Sequence, residues 1–303
     1  PDNDPRKIGS YISWVAIAST CVTSSMFLTA LAPNLLAVDL IAKGTGHAIT
    51  WMEWAKIMLP LMIPLFILTP WLTYVIYPPT QKKSPEAPVW AAEELKKLGS
   101  ITFKEYLMAG LATVALVLWI FGKELGVDAT ITAISIVSIM ILSGIISWDD
   151  LLSDKAAFNV LIWFATLVAL ADGLKKVGIL DFIGKNSQAM LSDLSLTSLI
   201  IALILLFYVL HYFFASTTAH VTALVPLFMV IASTFIPAEQ LLTFTILLAG
   251  SLGVMGIITP YGCGPSPIWY GAGYISQGKW WALGAIFGAI YLIPIIVGVF
   301  IFI

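Results

Sequence analysis

The chain has 303 residues, of which 59% are hydrophobic and 11% charged, and its formal net charge is −2. A mean hydropathy of +0.96 excludes an ordinary soluble domain, where about a quarter of residues are charged. No basic stretch is dense enough to track a phosphate backbone, so nucleic-acid binding is excluded as well.

The remaining class is an all-α polytopic membrane protein, because about 20 apolar residues cross a bilayer as a helix. Apolar runs fall at 8–27, 55–77, 106–121, 129–146, 157–171, 197–214, 219–235, 241–258 and 281–303, several of them short or broken. The first runs into Ser25-Met26-Phe27-Leu28-Thr29-Ala30-Leu31-Ala32-Pro33-Asn34, which predicts a break and a helix restart. A short helix, a glycine loop around Gly44 and Gly46, a start rich in Trp (Trp51, Trp54) and a helix carrying Pro60 and Pro64 follow, and residues 1–78 read as one unit. Residues 79–104 are polar, with Pro78, Pro79, Pro85 and Pro88 leading into a short surface helix. Their lysines, Lys82, Lys83, Lys96, Lys97 and Lys104, place the loop in the cytoplasm by the positive-inside tendency.

Residues 105–303 form the second part: three helices, a charged amphipathic segment at 174–194, a hairpin at 197–236, a broken helix at 241–275 and a last helix at 280–303. The amphipathic segment is too charged to span and is expected to lie along the interface, either as a solvated connector or as a lever between domains. The hairpin carries the polar tip Ala215-Ser216-Thr217-Thr218-Ala219-His220. One helix further on comes Thr259-Pro260-Tyr261-Gly262-Cys263-Gly264-Pro265-Ser266-Pro267. From 186 to 278 there is no Lys or Arg, and Glu239 is the only acid between 197 and 258. Non-helical backbone at membrane depth persists only where it is buried in protein or faces a watery cavity, so the two breaks point to a transporter's substrate site.

The order of features in 1–78, namely break, short helix, glycine loop, Trp residues and a helix with Pro, recurs in 259–303 with Gly271, Gly273, Gly278, Trp280, Trp281 and Pro294. This predicts an internal repeat whose first copy lacks a hairpin and three helices. The chain is therefore expected to be a C-terminal fragment; it starts at Pro1 without an initiator Met and shows no targeting segment. Cys21 and Cys263 read as reduced, buried thiols. No disulfide, metal site or cofactor is expected.

The run Leu210-His211-Tyr212-Phe213-Phe214-Ala215-Ser216-Thr217-Thr218-Ala219-His220-Val221-Thr222-Ala223-Leu224, together with the motif from Ser25 to Asn34, resembles the divalent anion:sodium symporter (DASS) family. Within it the likeness is to the citrate:succinate antiporter and 2-oxoglutarate:malate translocator branch. The resemblance implies an inverted-repeat transporter with re-entrant hairpin and broken helices, a homodimer, and an elevator-like movement of a transport domain against a scaffold. The family's Ser-Asn-Thr signature falls on Ser216, Thr217 and Thr218, with Thr217 in place of the Asn. Its Thr-Pro element falls on Thr259 and Pro260, and its first-half Pro-Asn element on Pro33 and Asn34, with Thr29 just ahead. The setting implied is a bacterial inner membrane, with a plastid inner envelope as the alternative.

A di- or tricarboxylate such as citrate, succinate, malate, tartrate or 2-oxoglutarate needs its charge offset, and neither break offers Lys or Arg. Helix N-termini expose unpaired N–H groups worth about half a positive charge, and restarts after the hairpin tip, after Pro33 and after Pro265 supply three. The hydroxyls of Ser216, Thr217, Thr218 and Thr259 can donate to a carboxylate. His220 lies one turn past Ser216 and is the expected substitute for part of a coupling cation's charge, which makes sodium-independent antiport the leading reading. His211 reads as a packing or hydrogen-bonding histidine and His47 as solvated. Sodium-coupled symport is the rival within the family. Outside it stand an intramembrane hydrolase using Ser216 and His220, which lacks a Gly-x-Ser-x-Gly elbow, and an ion channel filtered by the second break.

Overall fold

The computed structural model describes residue 4, residues 6–155 and 194–303, and isolated positions between 157 and 182. The expected span 157–171 and the interfacial helix 174–194 lie outside the continuously described residues. The described secondary structure is helical throughout.

Local chemistry sets where the helices begin. α1 (Gly9–Met26) ends at Phe27 in an extended conformation, and a single 3-10 turn (Leu28–Ala30) precedes α2 (Ala32–Thr45), which has Pro33 in its first turn and left-handed Gly46 (φ 77°) as its C-cap. Proline suits a first turn because the missing N–H would be unpaired there, and a glycine tolerates positive φ at no steric cost. α3 (Trp51–Ile76) starts from a capping box in which the Thr50 side chain accepts from the Glu53 N–H and Glu53 returns to the Thr50 backbone; it carries Pro60, Pro64 and Pro70.

Residues 82–163 form one compact unit, and 1–81 with 164–303 another. The first contains α4 (Ala87–Leu98), α5 (Phe103–Ile120), the one-turn α6 (Gly122–Leu125), α7 (Ala129–Leu142) and α8 (Trp148–Ser153). Thr102 with Glu105 and Ser147 with Asp150 make capping boxes for α5 and α8, and Asp128 caps α7. The exposed carboxyls of Asp128 and Asp150 are held below the usual carboxylate range by the N–H groups they accept from, those of Thr130 and Ile131 for Asp128 and of Ser147 for Asp150. α5 packs against α7 in this unit.

The other unit continues with α9 (Leu196–Leu210), a 3-10 turn (His211–Phe213), α10 (Thr217–Phe235), α11 (Ala238–Met255), the short α12 (Ser266–Gly271) and α13 (Gln277–Phe302). α11 is its axis: Phe244 through Met255 are all buried, and α1, α2, α3, α9 and α13 pack around it. Close approach depends on missing side chains. A Cβ on Gly253 would stand 2.4 Å from Ser25 Oγ and 2.5 Å from the Ser25 backbone N, and one on Gly284 2.8 Å from the Ile258 carbonyl oxygen. Small residues let membrane helices pack backbone to backbone.

Trp14, Trp280 and Phe287 form an edge-to-face aromatic cluster at the core. Beside it the Tyr291 hydroxyl on α13 pairs with Thr69 Oγ1 on α3 (2.8 Å) and donates to the Ala18 carbonyl on α1 (3.3 Å). Among the described residues six helices are long and apolar enough to cross a membrane, in the segments Trp51–Ile76, Phe103–Ile120, Leu196–Phe213, Thr217–Phe235, Ala238–Met255 and Gln277–Phe302.

Candidate functional site

The first break is closed from within. Asn34, fully buried at the start of α2, reaches back with its side-chain amide to the carbonyls of Ser24 in the last turn of α1 (2.8 Å) and of its C-cap, Phe27 (3.3 Å), which also accepts from the Ala30 N–H. Carbonyls in a last turn lack a partner further along the helix, so Asn34 is both a candidate ligand and the tie that holds α1 and α2 across the turn. Its Oδ1 has no hydrogen-bond partner and is buried. Thr29 sits half-buried in the 3-10 turn, and Pro33 is buried beside Asn34. Ser25 joins this break to its neighbours: its hydroxyl accepts from the Val254 N–H of α11 (2.9 Å) and its carbonyl from Trp54 Nε1 of α3 (3.1 Å).

The second break, residues 256–265, relies on side chains supplied from elsewhere. Gly262, near its centre, presents its carbonyl to the hairpin, where it accepts from His211 Nε2 (2.7 Å) and from Thr217 Oγ1 (3.1 Å). The Tyr261 hydroxyl donates to the Tyr212 carbonyl (3.1 Å), and both tyrosines lie against Trp281 of α13. Ser266 bonds the Gly256 carbonyl (3.3 Å) and stands 3.0 Å from Cys263 Sγ. Thr259 is fully buried with its hydroxyl unpartnered, and Pro260 is half-buried.

At the hairpin tip the three candidates point different ways. Ser216 is exposed, and its hydroxyl caps α10 by accepting from the Ala219 N–H (3.4 Å); Thr217 is buried against Gly262; Thr218 is half-buried. α10 then runs along α2, so the hairpin's second helix lies beside the helix that restarts after the first break. The hairpin and the second break are thus in direct contact through Thr217 and Gly262, while among the described hydrogen bonds none joins Thr259 or Pro260 to the hairpin. At the first break Asn34 bonds to the end of α1, and among the described hydrogen bonds none joins Thr29, Pro33 or Asn34 to the hairpin tip.

His220 is wholly buried in a ring box: Phe207 at 4.3 Å and Phe214 and His211 at 5.0 Å between centroids, all edge-on. Neither of its nitrogens has a hydrogen-bond partner. His211, which the sequence reading placed among packing or hydrogen-bonding residues, is the imidazole that reaches the second break. With Nε2 donating to a carbonyl, its buried Nδ1 faces no partner. Two signals for it were available: a histidine at the end of an apolar run with no Lys or Arg nearby, and a Gly-Cys-Gly backbone tight enough to accept one. His47 is half-exposed and stands 3.3 Å from Glu53. Cys21 and Cys263 are free and buried. Among the described residues no group of three or more His, Cys, Asp or Glu is placed to hold a metal ion.

The sequence profile of the sodium:sulfate symporter transmembrane region matches residues 1–302. The L-tartrate/succinate antiporters of Escherichia coli (strain K12) and Shigella boydii serotype 4 are each 46% identical over 296 residues, covering 98% of this chain and 60% of theirs; that of Shigella flexneri is 45% identical over the same span. The chain therefore spans 60% of the length of the curated relatives it matches. Bacterial relatives and six apolar helices of spanning length make it a multi-pass inner-membrane protein, and the chain belongs to the sodium:sulfate symporter family, the divalent anion:sodium symporters that its two motifs resemble, which are transporters and not enzymes.

Proposed function

We propose that the full-length protein exchanges di- or tricarboxylates across the membrane, one for another, without sodium. The observation that carries this reading is the joint between hairpin and second break: His211 and Thr217 both occupy the Gly262 carbonyl. A carbonyl already accepting two protein hydrogen bonds is a poor cation ligand, and in this reading the offsetting charge comes from the protein. The N-termini of α10 and α2 provide part of it. Buried His220, one turn past Ser216, is the candidate for the rest. Ser216, Thr217, Thr218 and Thr259, with Thr29, Pro33, Pro260 and Asn34 from the breaks, form the proposed substrate-binding set. The L-tartrate/succinate exchange named for the bacterial relatives supports the substrate class.

Antiport also has an energetic rationale. An empty carrier that exposes uncompensated polar hairpin groups crosses the bilayer at high cost, whereas a bound dianion neutralises them. We further propose a homodimer in which one domain of each subunit moves as an elevator. The test is uptake of labelled succinate by liposomes holding the full-length protein. Uptake that requires trapped dicarboxylate and ignores sodium is the expected result. Uptake into empty vesicles driven by a sodium gradient identifies a symporter instead. For the histidine, His220→Ala should abolish exchange, and full exchange by that variant refutes its role in charge compensation.

A further inference from the structure

α4 is the one helix of ten or more described residues that buries none of them, and its sequence is two-faced. At 100° per residue, Ala87, Ala91, Leu95 and Leu98 share one stripe, Glu93 and Lys96 lie opposite with Val89 between them, and Glu94 and Lys97 flank the stripe on one side. Trp90 stands at the border. Leu95 is 69% exposed, Leu98 81% and Trp90 63%, and Ile101 and Phe103 continue the exposed apolar surface at 63% and 79%. An apolar stripe on a lone helix has no stability of its own in water, so something covers it.

The chain limits what that can be. Four residues, and so five residue steps, separate Leu98 from Phe103, the first residue of the apolar helix α5 in the same compact unit. At roughly 3.5 Å per residue that tether keeps the end of α4 within about 18 Å of the point where α5 enters the membrane. The charge is also suited to a lipid surface. Residues 82–104 hold five lysines against three glutamates in a chain whose net charge is −2. Lys97 pairs with Glu94 and Lys104 donates to the Gly144 carbonyl, while Lys82 and Lys96 are exposed. Lysines in and flanking the helix, a Trp at the border and leucines on one stripe are the pattern of helices lying in the headgroup layer of anionic membranes.

We propose that α4 is an interfacial anchor that seats Leu95 and Leu98 at the acyl boundary and holds anionic lipid headgroups through Lys82 and Lys96. This inference is independent of what the protein transports. It is tested on the full-length protein in vesicles of brominated phosphatidylcholine, with or without phosphatidylglycerol, carrying a fluorescent unnatural amino acid at Leu98 or, as a control, at Glu93. Both positions are exposed, so folding is not at stake. Bromine on the acyl chains is expected to quench position 98 several-fold more than position 93. Phosphatidylglycerol should increase that difference, and the double substitution Lys82→Glu with Lys96→Glu should remove the increase. Equal, weak quenching at both positions in both vesicles assigns the stripe to a protein partner and overturns the proposal, as does strong quenching at 98 that phosphatidylglycerol leaves unchanged.

Discussion

The two breaks solve the same problem by opposite means. At the first, the carbonyls of Ser24 in α1 and of its C-cap, Phe27, are met ten and seven residues later by one side chain, Asn34. At the second, the central carbonyl of a ten-residue gap is met by His211 and Thr217, which lie 51 and 45 residues away in the hairpin. A locally closed break behaves as a fixed joint. A break closed by a distant element is coupled to it, so movement of the hairpin tip changes how well the backbone at Gly262 is satisfied. The asymmetry makes Asn34 a structural tie besides a proposed ligand, whereas the second break is tied to the hairpin.

Substitutions should separate the two roles. Among substitutions at the two breaks, the largest effect is expected for His211→Ala, which leaves the Gly262 carbonyl to Thr217 alone; an under-satisfied buried group costs about 1–3 kcal/mol, or roughly ten- to a hundredfold in exchange rate. His211→Gln, which keeps an N–H donor, should recover most of it, and proteoliposome exchange rates measure both. If His211→Ala exchanges normally, the coupling described here is absent. Next comes Gly253→Ala. Its methyl group would meet Ser24 and Ser25 backbone atoms at 2.5–2.7 Å, and overpacking of this kind costs about 1–3 kcal/mol, read as a lower melting temperature in detergent.

Asn34→Ala removes two hydrogen bonds, each worth about 1 kcal/mol. It should lower thermal stability more than it lowers the exchange rate per folded molecule, the reverse of His211→Ala; equal effects on both would erase the distinction between the breaks. The smallest change is expected for Ser216→Ala. Loss of the α10 cap costs about 1 kcal/mol and should raise the substrate concentration for half-maximal exchange while leaving melting nearly unchanged, because Ser216 is exposed.

Much of this was legible before any coordinates. Ser216, Thr217 and Thr218 stood out because hydroxyls are conspicuous where no charge occurs for dozens of residues, and Pro33 and Pro260 marked the breaks because proline interrupts a helical ladder. Close packing at Gly250, Gly253 and Gly256 is a finding of the structure, which seats Met58, Ser25 and Cys263 where a Cβ would stand. Partner choice was not legible. Nothing in local spacing says that Thr217 turns inward while Ser216 faces out, since both sit in one turn and only the position of Gly262, 45 residues on, decides it. His220 was placed beside the ligand because it follows Ser216 by one turn. Yet Phe207 and Phe214, from the preceding helix and the tip, enclose it, and that enclosure is a property of the folded hairpin alone.

The phenol of Tyr291 has a consequence for movement. It joins α13 to α3 through Thr69 and to α1 through Ala18 at a depth where no water can replace a broken bond. Sliding any of these three helices past another by one turn, about 5.4 Å, would strand its partners. If the proposed exchange involves bodies that slide, α1, α3 and α13 are expected to travel together.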